Sequence, residues 1–362
     1  MRDALGLTGN ASSVHAEGRL ARRLVEEARA RVAALVGAEA KNVTFTSGAT
    51  EANMMALTAA IEVGGRKALR DRLFVSAIEH PSVRSGGRFA AEEVSELRVT
   101  SDGVVDLVAL AHTLKKSERP LVSVMLANNE TGVIQPIAQI ADIVHAASGV
   151  LHVDAVQGAG RIDCNVTALG ADLISISSHK LGGPQGAGAL ISRGDIYIAE
   201  PLIRGGGQER GQRAGTENVA AIVGFGAACE VAEEIETERM SSLRGRLEEG
   251  ITDAVPSAVI FGKTAPRLPN TTLFAVPGLK AETAIIALDL NGVAVSSGSA
   301  CSSGKVQASS VLAAMGVDPT FARGAVRVSL GWSTSEAEID QFLKTWKMLA
   351  GSLLKQGRGI AA

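Results

Sequence analysis

Cysteine is scarce in this sequence, with three residues (Cys164, Cys229 and Cys301) in a chain of 362. Widely spaced and odd in number, they argue against a disulfide scaffold and fit a reducing compartment. No CxxC pair occurs, and the six histidines are scattered, so a structural zinc site is not expected. Long apolar runs are also missing. The uncharged, mostly apolar stretch from Val219 to Cys229 covers 11 residues, too few to cross a bilayer, and the N-terminus lacks a charged-then-apolar signal pattern. A cytoplasmic location is the expectation. Charge of one sign is not in excess, with 36 Lys plus Arg against 38 Asp plus Glu. No basic cluster accompanies a groove-reading motif, which argues against a nucleic-acid ligand. Internal repeats and low-complexity tracts are absent, which sets solenoid and linker readings aside.

What is present is apolar material for a large core, 46% of the chain, enough for one large domain plus a smaller one. Residues 17 to 36 place Leu20, Leu24, Ala28, Val32 and Leu35 at helical spacing, with Gly37 as a stop. Short apolar runs then alternate with helical segments: VTFT at 43, RLFVSA at 72, LVSVMLA at 121, VLHVDAV at 150, DLISISS at 172 and GAGALIS at 186. That rhythm predicts an α/β fold with a mostly parallel sheet and helices on both faces. The pattern changes after about residue 235, where a charged helical stretch (233 to 251) leads into a shorter α+β region. The expected domains are therefore 1–235 and 236–362.

Ligands of open α/β sheets gather at the carboxyl ends of the strands, which makes the polar residues there the ones of interest. In VLHVDAV the two-residue alternation puts His152 and Asp154 on one face, with Gln157 just beyond. Asp154 alone reads equally as the cap of the next helix. One strand later DLISISS ends in His179 and Lys180. A strand-end lysine can form a Schiff base when its pKa is lowered by burial, and a strand-end Asp beside it suits pyridoxal phosphate: the carboxylate holds the pyridinium N–H and the amine holds the aldehyde carbon. A phosphate cup is offered by TSGATEANMMAL (46 to 57), where Ser47, Gly48, Ala49 and Thr50 precede a helical segment; an ordinary N-cap explains that stretch as well. In AVRVSL the alternation puts Arg327 on the polar face, suited to a carboxylate or to a surface salt bridge. The stretch VSSGSACSSG (295 to 304) sets Cys301 among small residues. Its glycine and lysine spacing is not that of a P-loop, and its lack of apolar neighbours is unlike a buried structural cysteine.

Taken in order, GNASSVHAEGR (9 to 19), TSGATEAN, NNETGVIQP (128 to 136), HVDAVQ, SSHKLGGPQGAGAL, RGGGQERGQRAGTEN (204 to 218), SSGSACSSG and VRVSLG resemble a pyridoxal-phosphate cysteine desulfurase of the NifS/IscS-like group, in the class V aminotransferase family. The resemblance spans nearly the whole chain. It implies a fold-type I transferase with the cysteine loop on the smaller C-terminal domain, acting as a homodimer on L-cysteine to give L-alanine and a persulfide on Cys301. The sulfur would pass to an acceptor such as an iron–sulfur scaffold protein or a tRNA-thiolation partner.

By the same resemblance Lys180 would carry the cofactor and move the substrate's α-proton. Asp154 would pair with the pyridinium nitrogen and Gln157 with the ring oxygen. Ala49, Thr50, Ser177 and His179 would bind the phosphate, joined by Thr216 of the neighbouring subunit. Asn129 would lie beside cofactor and substrate, Arg327 would take the substrate carboxylate, and His80 would stack on the ring and act as acid/base. Cys301 must react as thiolate, and the small residues around it suit an arm that moves between substrate and acceptor. Family members usually begin with a strand and an Asn-Ala-Ala-Thr-like motif ahead of the GNASSVH stretch, whereas Met1 stands eight residues before Gly9; the expectation is cofactor binding with impaired turnover. The alternatives are a related class V enzyme (a selenocysteine lyase or an aminotransferase, the latter needing no thiol at 301) or a non-catalytic sulfur-carrier or interaction protein.

Overall fold

The computed structural model describes residues 1–67, 69–232, 237–298 and 309–358. They cluster into two units. The first takes in Met1–Arg98, Val105–Ala127 and Gln135–Ile235; the second takes in Val99–Val104, Asn128–Ile134 and Glu236–Ala362. Two short segments near residues 100 and 130 thus belong with the C-terminal unit, although their sequence neighbours are strands of the first.

The first unit is built on seven strands in the spatial order Val43–Thr46, Gly188–Ser192, Leu173–Ser177, Val150–Asp154, Pro120–Met125, Arg72–Ser76, Val94–Leu97. Only Gly188–Ser192 runs against the rest, pairing antiparallel with both neighbours; the other pairings are parallel. Every residue of the 120, 150 and 173 strands is buried, so both faces of the sheet are covered, as the unbroken apolar runs require. His152 is a buried polar residue at the middle of the central strand. Its ring nitrogens meet Ser123 Oγ at 2.8 Å and Ser175 Oγ at 2.9 Å, one on each flanking strand, and burial pushes its pKa down to about 3. It is a neutral spacer across three strands.

The long N-terminal helix, Ala16–Leu35, buries Gly18, Ala21, Val25, Ala28 and Val32, while Leu20, Leu24 and Leu35 are only half-buried. The seam is displaced from the leucine stripe because of its partner. Helix Val219–Ala232 packs so closely that a side chain at Gly226 would start 2.7 Å from Ala28 Cα. At such a distance small residues pack and leucines are pushed to the margins.

Within the second unit a four-stranded antiparallel sheet runs Val259–Ile260, Thr271–Ala275, Val326–Ser329, Ser296–Ser297. Helices Thr237–Ala254, Ala281–Asp289 and Glu336–Arg358 share its core. Phe274 and Trp346 meet edge to face at its centre, 5.1 Å between ring centroids. Among the described residues no helix is long and apolar enough to cross a membrane.

Candidate active site

The carboxyl ends of the parallel strands in the first unit carry six of the singled-out residues, His80, Asp154, Gln157, Ser177, His179 and Lys180. Asp154 closes its strand and is buried. Burial pushes its pKa up, opposed by hydrogen bonds from Asn53 and the Val156 amide and by the nearness of His80. Asn53 Nδ2 donates to Asp154 Oδ2 at 2.9 Å and also to Ser82 Oγ at 2.9 Å, and Ser82 Oγ meets His80 Nδ1 at 2.8 Å. A continuous chain of hydrogen bonds therefore joins Asp154 to His80 through two side chains that the sequence reading left without a role.

His80 is the N-cap of a short helix, Pro81–Arg84, and its Nδ1 accepts from the Ser82 amide. Accepting there puts the proton of the neutral ring on Nε2. Burial pushes the His80 pKa down; Asp154 counteracts this and Lys180 adds to it. Lys180 is thus close enough to act electrostatically on His80, and it acts likewise on His179. Its backbone is fixed from below: Arg161 donates to the Lys180 carbonyl at 2.8 Å and to the Gln157 carbonyl at 2.9 Å, tying the two loops together.

Ser177 Oγ contacts His179 Nδ1 at 2.8 Å at the end of the neighbouring strand. Helix Ala49–Ala56 starts at Gly48, which has no side chain to cap it, so the first amides of the helix, those of Ala49 and Thr50 among them, lack intrahelical acceptors, and a side chain on Gly48 would meet no described residue within 4 Å. Strand Gly188–Ser192 touches this turn, since a side chain at Gly188 would start 2.6 Å from the Gly48 carbonyl carbon. The loop 204–218 is pinned to the same region. Arg213 Nε donates to Glu51 at 2.9 Å, and Glu209 accepts from Arg29 Nη1 and Nη2 at 2.6 and 2.8 Å and from the Phe45 amide at 2.9 Å. Thr216, on this loop, is exposed.

Behind Asp154 sits Glu79, 2% exposed. Its Oε1 accepts from Ser76 Oγ at 2.5 Å and from the Met125 amide at 2.7 Å, while Oε2 has no hydrogen-bond partner among the described residues. Burial pushes its pKa up to about 8, with Asp154 adding to the shift, so it is largely protonated at neutral pH.

In the second unit Asn129 and Arg327 come together, with Arg327 Nη1 donating to the Asn129 carbonyl at 2.9 Å. Of the cysteines, Cys229 is fully buried and Cys164 nearly so, and burial pushes the Cys164 thiol up to about 12, so it is not a thiolate. Cys301 lies outside the described residues.

The residues fit a bound pyridoxal phosphate. A buried carboxylate held above its ordinary pKa lacks the counter-charge that a pyridinium N–H supplies, and an uncapped helix start beside a Ser–His pair offers donors to a phosphate. Fold and site define a fold-type I enzyme of the pyridoxal-phosphate class. Residues 4–342 match the class-V aminotransferase family, and the chain belongs to it. Its relatives include a cysteine desulfurase of Cereibacter sphaeroides, 41% identical over 93% of this chain and 87% of the relative. An IscS-like cysteine desulfurase of Mycobacterium tuberculosis is 38% identical over 98% and 92%. The X-ray structure of a NifS-like protein from Rickettsia africae superposes with a TM-score of 0.85 at 35% identity, covering 96% of this chain and 93% of that one.

Proposed function

We infer that the protein is a pyridoxal-phosphate-dependent cysteine desulfurase, converting L-cysteine to L-alanine with the sulfur retained as a persulfide on Cys301. The observation that carries this reading is the connected set Asp154–Asn53–Ser82–His80 with Lys180 acting on His80. When bound, pyridoxal phosphate supplies an electron sink that acidifies the substrate's Cα and labilises its Cβ–sulfur bond. Asp154 holds the ring nitrogen and Gln157 the ring oxygen. Ala49, Thr50, Ser177 and His179 hold the phosphate, joined by Thr216 of the partner subunit in a homodimer. The exposure of Thr216 leaves it free for that task.

Lys180 would anchor the cofactor through its side-chain amine and would move the proton at the substrate's Cα. His80 would stack on the bound ring and offers an N–H donor at Nε2; taking up a proton at Nδ1 requires its Ser82 contacts to open. Arg327 receives the substrate carboxylate, with Asn129 beside it. The Cys301 thiolate attacks the substrate sulfur, so that an S–S bond forms as the carbon–sulfur bond breaks, and a proton returned to carbon completes L-alanine. The persulfide sulfur then passes to an acceptor thiol, either on an iron–sulfur scaffold protein or in a tRNA-thiolation pathway.

The test is direct. Purified protein with added pyridoxal phosphate and a reductant is expected to release alanine and sulfide from L-cysteine in equal amounts. Absence of alanine over the background of free cofactor would refute the reading.

A further inference from the structure

Glu130 is buried in the second unit, 6% exposed, in the turn where its own amide and that of Thr131 donate to Asn128 Oδ1, each at 2.9 Å. Its Oε2 accepts from Ser309 Oγ at 2.5 Å and lies 3.2 Å from where a side chain at Gly298 would begin. Gly298 and Ser309 are the described residues on either side of the stretch 299–308, which contains Cys301. Both are fixed on their far sides. The Gly298 amide donates to the Ala325 carbonyl at 3.2 Å, and Ser309 caps helix Ser310–Ala314 by accepting from the Leu312 amide at 3.0 Å. Arg327 Nη1 donates to the carbonyl of Asn129, the residue before Glu130, at 2.9 Å, which brings its guanidinium near enough to act electrostatically on the Glu130 carboxyl; its Nε is buried and has no hydrogen-bond partner among the described residues.

We propose that Glu130 is a positioning residue for substrate binding, whose carboxyl sets the charge that Arg327 presents to the substrate's carboxylate and braces the two residues flanking the Cys301 segment. The proposal rests on the reading of Arg327 as the carboxylate-binding residue. Among the described residues Arg327 is the charged side chain acting on Glu130, with Ser309 the polar one. Burial pushes the Glu130 pKa up to about 7, opposed by Ser309 and Arg327. Below that pH the carboxyl is neutral and the whole arginine charge faces the ligand. Above it the carboxylate's negative charge offsets part of the guanidinium charge that the ligand's carboxylate meets.

L-Alanine carries the substrate's amine and carboxylate without its thiol, so its binding to the holoenzyme isolates this step. Its dissociation constant, followed through the visible spectrum of the bound cofactor, is compared between the parent and Glu130→Gln from about pH 6 to about pH 8.5. The amide keeps an acceptor for Ser309 and cannot ionise. We expect a parent-to-variant ratio near one at the acid end, rising to about fivefold at the alkaline end. Titrations common to both proteins cancel in the ratio. Ser309→Ala, which removes a hydrogen bond that favours the ionised carboxyl, is expected to move the parental rise to higher pH, and it serves if Glu130→Gln does not fold. A ratio independent of pH, or a Ser309→Ala profile identical to the parent's where Glu130→Gln does not fold, overturns the proposal. Arg327→Ala separates the two layers. If it leaves alanine affinity unchanged, the reading of Arg327 fails and takes the proposal with it; if it weakens affinity while the ratio stays flat, the proposal fails alone.

Discussion

A carboxyl buried behind a second carboxyl has one low-energy state at neutral pH, the protonated one, and Glu79 is in that position behind Asp154. The consequence for stability has a definite sign. Glu79 has an ordinary pKa of 4.5 and is raised to about 8 in the fold. Between those values the folded protein binds a proton that the unfolded chain has released, so stability falls as pH rises through that window and levels off above it. Glu79→Gln keeps an acceptor for Ser76 and the Met125 amide while removing the titration. Its melting temperature relative to the parent is therefore expected to rise by a few degrees between about pH 5 and about pH 8. A difference that stays constant over that range, measured by thermal unfolding in matched buffers, contradicts the assignment. At this scale the sequence was half legible. Asp154, His179 and Lys180 stand at strand ends in contiguous motifs, and local alternation was enough to single them out. Asn53 reaches Asp154 across 101 residues of chain and Glu79 reaches Met125 across 46, and such pairings leave no periodic trace.

Elements show a different limit. Six of the seven strands of the main sheet were readable because burial on both faces forces mostly apolar runs bounded by turn residues, whereas the partly exposed edge strand Val94–Leu97 and the short strands Ile61–Val63, Arg66–Lys67 and Ile196–Ile198 carry no such run. The buried stripe of helix Ala16–Leu35 was not, because hydrophobicity singles out the leucines whereas the close approach of Gly226 selects Ala21, Val25 and Ala28. The loop 204–218 likewise looked like a generic glycine-rich turn. Its anchor is Glu209, which with Arg210 adopts positive φ without being glycine, a conformation held in place by the bidentate pair with Arg29 and the bond from the Phe45 amide. Side-chain exposures of 4% for Arg29 and 3% for Glu209 mean that removing Glu209 leaves the buried Arg29 charge, among the described residues, with only the half-exposed Glu26, at 3.1 Å from Nε, as its acidic partner. Glu209→Ala is expected to destabilise by about 3–5 kcal/mol in chemical denaturation, and the double variant Arg29→Met, Glu209→Ala by clearly less. A single variant within experimental error of the parent would show that the pair does not anchor the loop.

At the scale of the whole molecule, each unit carries its own group of polar residues. The first holds a buried acid, a lysine and free helix-start amides at the ends of parallel strands, where an α/β sheet collects ligands. The second holds Arg327 against the Asn129 carbonyl, together with Gly298 and Ser309, the described residues on either side of 299–308. Segments 99–104 and 128–134 join the second unit although they follow strands of the first, and nothing in their local composition announces it. Family membership rests on a match over residues 4–342 and on relatives near 40% identity across more than nine-tenths of the chain. In the proposed reaction Cys301 is the residue to which substrate sulfur is transferred. Neither of the other cysteines can substitute, because both are buried. The decisive measurement is persulfide formation on the protein after a single turnover with L-cysteine, read by intact-protein mass spectrometry in parent and Cys301→Ala, with the visible absorbance of the bound cofactor recorded on the same samples. The account predicts a gain of one sulfur in the parent and none in Cys301→Ala, with cofactor absorbance retained in both. Persulfide or alanine formed by Cys301→Ala at the parental rate would contradict it.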